Sequence, residues 1–98
     1  MQTYVIRRPS EWRSAQSLEA AAGRSRQVGD EEMSEDIRWI RSYVVREEDG
    51  TLGTVCIYQA SSAEKIREHA DRAGIPATTI LEVVDTVLVR EDPVEAAA

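Results

Sequence analysis

The sequence predicts a single α+β domain: a four-stranded antiparallel sheet with two helices on one face, its elements ordered β-α-β-β-α-β. Three observations predict it. Four runs of β-branched and aromatic residues are present, at 3–7, 37–46, 52–60 and 80–90. Two stretches with apolar residues at helical spacing separate the first run from the second and the third from the fourth. The length of 98 residues suits one two-layer core and no more.

Residues 3–7 (TYVIR) form the first strand, closed by Pro9, which cannot continue a ladder. Ser10 is placed to cap a helix whose apolar positions are Trp12, Ala15, Leu18 and Ala22, ending between Gly23 and Gly29. The acidic stretch 29–36 (GDEEMSED) reads as a turn, and the second strand runs from Ile37 to Arg46. Asp49-Gly50, a pair that accepts positive φ, turns the chain into the third strand, Leu52 to Ala60. Ser61-x-x-Glu64 matches a capping box that opens the second helix, with Ala63, Ile66, Ala70 and Ala73 on its apolar stripe. Glu68 and Arg72 are spaced to pair, and Gly74-Ile75-Pro76 ends the helix. Residues 80–90 form a long last strand. The domain thus covers 1–90, and 91–98 reads as a flexible C-terminal tail. This order is the split arrangement of the ferredoxin-like fold.

Strands covered by helices on one face should alternate apolar and polar residues. These do not alternate cleanly. The second strand places Ile37, Trp39, Tyr43 and Val45 on one parity, yet Ile40 and Val44 on the other; the last strand carries Leu81, Val83, Val87 and Val89 against Ile80, Val84 and Leu88. Two short helices cover one face, so the other requires a different cover. A second copy packed sheet to sheet supplies it, as in dimeric α+β barrels. Partial exposure of ordinary surface residues is the competing explanation.

Composition narrows the function classes. Eighteen acidic against twelve basic residues leave a net charge of −6, which disfavours nucleic acid and anionic membrane surfaces as partners. Small molecules, metal ions and proteins remain. One cysteine excludes an internal disulfide framework and a Cys-x-x-Cys pair, which fits a reducing cytoplasm, and no stretch resembles a secretory signal or a membrane span. Basic charge is almost wholly arginine, with Lys65 the one lysine, a bias consistent with a GC-rich bacterial genome.

Few residues are candidates for chemistry. His69, the single histidine, borders the apolar stripe of the second helix, where a neutral imidazole acts as a metal ligand, as a base, or simply as a hydrogen-bonded boundary residue. No second histidine stands at metal-ligand spacing, so further ligands would come from Cys56, from Glu82 or Asp85, or from a second subunit. Cys56 lies mid-strand with no adjacent base, the setting of an inert buried thiol. Trp39, Tyr43 and Tyr58 lie on strands and are suited to packing or to lining a ligand pocket. Arg7, Arg8, Arg41 and Arg46 are available to pair with the acidic stretch 30–36.

The run Cys56-Ile57-Tyr58-Gln59-Ala60-Ser61-Ser62-Ala63-Glu64, with Glu68-His69 and Gly74-Ile75-Pro76 after it, resembles a family of small bacterial ferredoxin-like proteins of unknown function often labelled nickel-binding proteins. Trp39, Ser42, Tyr43 and Val44 match a second family element. Gln59 stands where the family usually has Glu, and Arg7 and Arg8 stand where some relatives have histidine. The resemblance implies a dimeric ferredoxin-like fold and makes His69 the leading site residue. The leading expectation is a homodimeric ligand-binding protein with His69, Cys56, Tyr58, Tyr43 and Trp39 near a pocket for a small molecule or for nickel or another divalent transition metal held by His69. The alternatives are a cofactor-independent oxygenase or isomerase of the dimeric barrel type, with His69 as base and Tyr43 or Tyr58 as oxyanion donor, and a protein-interaction module.

Overall fold

A computed structural model describes residues 1–93. The elements are β1 (Gln2–Trp12), α1 (Ala15–Gln27), β2 (Ile37–Arg46), β3 (Leu52–Ala60), α2 (Ala63–Ala73) and β4 (Thr79–Glu82), with a π-helical turn, Val28–Glu32, extending α1. The sheet order is β2-β3-β1-β4 and every pairing is antiparallel, so the expected ferredoxin-like α+β topology is the observed one. Tyr4, Ile6, Cys56, Tyr58 and Ala60 alternate along β1 and β3 and meet Ile66 and Ala73 of α2 in the core. No helix among the described residues is long and apolar enough to cross a membrane.

β2 and β3 occupy the expected residues, because a turn with strong chemistry separates them. Gly50 has φ +85°, and Asp49 accepts both the N–H and the hydroxyl of Thr51. Several other expectations are corrected. Pro9 does not close β1. Arg8 pairs with Thr54, and pairing resumes at Trp12 with Leu52, so three residues of β1 bulge past the single residue Gly53. The bulge removes Pro9 from the ladder, which is why a residue without an N–H is tolerated, and it takes Ser10 to φ +54°. Trp12 therefore ends a strand instead of opening a helix, and Ser14, whose hydroxyl accepts the Ser17 N–H at 3.1 Å, caps α1.

At α2 the cap is Ser62, which accepts the Lys65 N–H at 3.3 Å; Ser61 instead donates its hydroxyl to the Asp36 carboxylate at 2.8 Å. Gly74, at φ +70°, ends the helix as expected, with the Gly74 and Ile75 N–H groups bonded to the Asp71 and Ala70 carbonyls. Glu68 and Arg72 pair at 2.7 Å. The acidic stretch is met by Arg72 at Glu32 and Lys65 at Asp36, while Arg7 pairs with Glu47 and Arg41 with Asp92.

The last strand is much shorter than residues 80–90. β4 pairs only with β1, whose ladder begins at Gln2, so after the Val83 N–H reaches the Thr3 carbonyl at 2.8 Å almost no partner strand remains. The chain then crosses the face of the sheet opposite the helices and reaches β2, where the Asp92 carboxylate accepts from Arg41 at 2.7 Å and from the Tyr43 hydroxyl. The Tyr43 hydroxyl and the Arg41 guanidinium hold the Asp92 carboxyl below its ordinary range. Val84, Val87, Leu88 and Val89 remain largely exposed along this strap. Of the expected tail, residues 94–98 lie outside the described residues.

The side-chain parity of β2 also changes midway. Trp39 pairs with Tyr58 and Arg41 with Ile57, so Ile40 is an extra residue, and every side chain after it is on the opposite face from the one simple alternation assigns. Ser42 and Val44 thereby join Trp39 on the helix side, and Tyr43 moves to the strap side.

The β1 bulge generates a stability test. A Cβ on Gly53 would lie 2.9 Å from the Arg8 carbonyl oxygen and 3.1 Å from the Ser10 nitrogen. Gly53→Ala is expected to cost about 1–3 kcal/mol, read as a lower urea midpoint with an unchanged slope.

Candidate functional site

Between α1 and the sheet lies a pocket of about 620 Å³. Its origin is visible in α1: the side chains turned to the sheet are Leu18, Ala21, Ala22 and Ser25, three of them too small to fill the space beneath the helix. Trp12 from the β1 bulge and Trp39 from β2 form its large apolar walls, and Arg8, Thr54, Cys56 and Tyr58 line the sheet side. Trp39 is anchored by its indole N–H, which donates to the Ser42 hydroxyl at 2.8 Å, a contact that exists only because the Ile40 bulge brings Ser42 to this face.

Tyr58 links the pocket to α2. Its ring stacks on Trp39, with centroids 5.9 Å apart, and meets the His69 ring edge-on at 5.3 Å. The Tyr58 and Ser25 hydroxyls share a hydrogen bond at 2.9 Å. Burial pushes the phenol up to about 12, so Tyr58 is a neutral hydrogen-bonding group and not a base. His69 is buried behind this pair. Its Nε2–H donates to the Ser25 carbonyl at 2.9 Å, which leaves Nε2 no lone pair for a metal or a proton, and burial holds the imidazole below its ordinary value and therefore neutral. His69 does not line the pocket.

Arg8 is the unexpected member. It alternates with Tyr4 and Ile6 on the inward face of β1, and at 2% exposure it is more deeply buried than either tryptophan of the chain. Its Nε donates to the Pro76 carbonyl and its Nη1 contacts the Cys56 sulfur at 3.3 Å. Among the described residues Nη2 has no partner, and neither has the hydroxyl of Thr54, the residue paired with Arg8 across the strands. No carboxylate of the described residues forms an ion pair with Arg8.

Of the five expected site residues, the structure brings together Trp39, Cys56, Tyr58 and His69, with His69 one layer behind the pocket. Tyr43 is separated from them by the thickness of the sheet, on the strap side, where it bonds Asp92. Arg8, Trp12, Ser25 and Thr54 complete the group. The sequence held one usable signal for them, a charged residue at the inward parity of β1; the others depend on the bulge and on the approach of α1.

The sequence profile of the family described as nickel responsive proteins of the SCO4226-like type matches residues 4–83. The chain belongs to that family. The crystal structure of SCO4226 from Streptomyces coelicolor A3(2) is similar to it with a TM-score of 0.68 at 19% identity, covering 87% of this chain and 99% of that one, a likeness of fold. No curated protein matches the chain. In this chain, no group of three or more His, Cys, Asp or Glu side chains is assembled for a metal ion among the described residues. Cys56 in addition faces a guanidinium, a neighbour that repels a cation from the sulfur. The described residues of one protomer therefore do not fit a nickel site.

The state of His69 is open to measurement. Because its folded-state value lies below the unfolded 6.5, the unfolded chain takes up the proton first, and the neutral buried ring contributes stability that is full above pH 6.5 and lost as pH falls through the folded value. The urea midpoint of the natural protein is expected to fall between about pH 7 and about pH 5, and that of His69→Gln, which keeps a donor to Ser25, to stay nearly flat.

Proposed function

We propose that the protein is a small-molecule binding module whose site is the pocket between α1 and the sheet. One observation carries the reading: a preformed space of about 620 Å³, walled by two tryptophans and Leu18, with the polar groups of Arg8, Ser25, Thr54 and Tyr58 on its walls. Ligand sites have this character, a largely apolar concavity with a few placed polar groups. Binding ranks ahead of catalysis because the one imidazole is buried behind the pocket and does not line it, and the tyrosine beside it is held neutral.

Both tryptophans of the chain line the pocket, so intrinsic fluorescence reports its occupancy directly. A library of small apolar ligands is expected to shift that emission in the natural protein and to bind more weakly to Ala22→Trp and the milder Ala22→Leu, whose side chains crowd the space beneath α1. Equal binding by natural protein and crowded variants overturns the reading. Nickel belongs in the same series because the family is described as nickel responsive. With no three-ligand group among the described residues of one protomer, calorimetry is expected to show no tight nickel site; a tight one abolished by His69→Ala would replace the pocket reading with a metal centre shared between copies.

We also propose that the functional unit is a homodimer in which a second copy covers the strap side of the sheet. The support is the exposure of Leu81 and of Val84, Val87 and Leu88 on the strap, between 57% and 91%. Sedimentation is expected to give a dimer, and Val87→Asp with Leu88→Asp a monomer.

A further inference from the structure

We propose that the ligand of this pocket is a small organic monocarboxylate, its anionic head held by the Arg8 guanidinium and the Thr54 hydroxyl and its apolar body packed between Trp12, Leu18 and Trp39. This rests on the reading of the pocket as a binding site and adds the chemical class of the occupant. A guanidinium is always charged, and a charge taken from water is tolerated when it is paired. Arg8 has only neutral partners here, the Pro76 carbonyl and the Cys56 sulfur, and its Nη2 is orphaned. The second orphan, Thr54 Oγ1, belongs to the residue directly across the β1–β3 ladder on the same face. Two buried donors on residues paired across the ladder, both unpartnered among the described residues and both belonging to residues that line the pocket, fit the two oxygens of one carboxylate: one receives Nη2–H, the other the hydroxyl proton.

The charge count selects a monoanion. Arg8 is the one buried cation of the pocket; its other charged groups, Glu19, Arg26, Asp30 and Arg41, are exposed, and the chain as a whole is acidic. A dianionic phosphate would be left half neutralised, whereas a carboxylate is matched. The tryptophans and Leu18 then favour an acid with a hydrocarbon or aromatic body over a short polar one. Nη2 and Oγ1 lie behind the pocket surface, out of reach of water, so the ligand reaches them with side-chain adjustments of the kind common on binding.

The test compares acids with their uncharged isosteres. Phenylacetate, hexanoate and benzoate, each beside its primary amide and with phenylphosphonate as the dianion, are titrated into the full-length protein by tryptophan fluorescence and calorimetry. The acids are expected to bind at least about tenfold tighter than the amides and the phosphonate. Arg8→Met is expected to abolish that preference while amide binding persists. If Arg8→Met does not fold, Thr54→Val is expected to weaken the acids several-fold and leave the amides unchanged. Acid and amide binding equally to the natural protein overturns the carboxylate assignment and leaves the pocket standing. A phosphonate preference replaces the carboxylate with a phosphate-type ligand. Binding of none of the probes, in a pocket whose filling by Ala22→Trp changes nothing, overturns the pocket reading itself.

Discussion

The antiparallel ladder between β1 and β3 is the constraint on which the rest of the molecule depends. These are the two central strands; β2 attaches only to β3, and β4 only to β1. The ladder carries the core on one face, with Tyr4, Ile6, Cys56 and Tyr58 alternating inward, and it also places Arg8 beside Thr54. The same pairing that closes the hydrophobic core thus buries a cation next to a hydroxyl. Beyond that pair the ladder cannot continue regularly, because Pro9 has no N–H to give, and the chain solves this by bulging over Gly53. Trp12 reaches the pocket as a consequence.

The two bulges do more than relieve local strain. Each changes which face the following side chains occupy, and period-two alternation makes such a change total. At Ile40 the extra residue sends Ser42 inward to hold the Trp39 indole and Tyr43 outward to hold Asp92. One aromatic residue therefore serves the pocket, and its neighbour four positions on serves the strap. The strap has its own cause, since β4 exhausts its only partner at the start of β1. Its apolar residues, which patterning assigns to a long strand, stay exposed where no ladder exists to receive them.

The pocket arises from a deficit. α1 is a helix of small and polar residues whose inward positions include Ala21, Ala22 and Ser25, while α2 brings Ile66 and the ring of His69 into the core. The half of the domain under α2 is filled; the half under α1 is not. Ser25 is the hinge between the two halves, bonded through its hydroxyl to Tyr58 and through its carbonyl to His69. His69 accordingly closes the back of the site, and its hydrogen bond to Ser25 and contact with Tyr58 account for its burial.

Much of this was legible in the order of residues. Element type and succession, the bounds of β2 and β3, the turn at Asp49-Gly50, the stop at Gly74 and the pairing of Glu68 with Arg72 are local matters, decided within a few residues by backbone permissiveness, capping and helical spacing. The grouping of Trp39, Cys56, Tyr58 and His69 followed from the family motif. What the sequence could not decide was every question answered by a distant partner. The place where a strand ends depends on whether its neighbour still offers a hydrogen bond, which shortened β4 and lengthened β1. The face a side chain occupies depends on register, which moved Tyr43 across the sheet. Whether a buried arginine finds a carboxylate depends on all the elements packed around it. A single chain of letters specifies propensities, and those are short-range; pairing, register and charge neutralisation are set between residues remote in sequence, and they left one donor of Arg8 and one of Thr54 unpartnered behind the wall of a pocket.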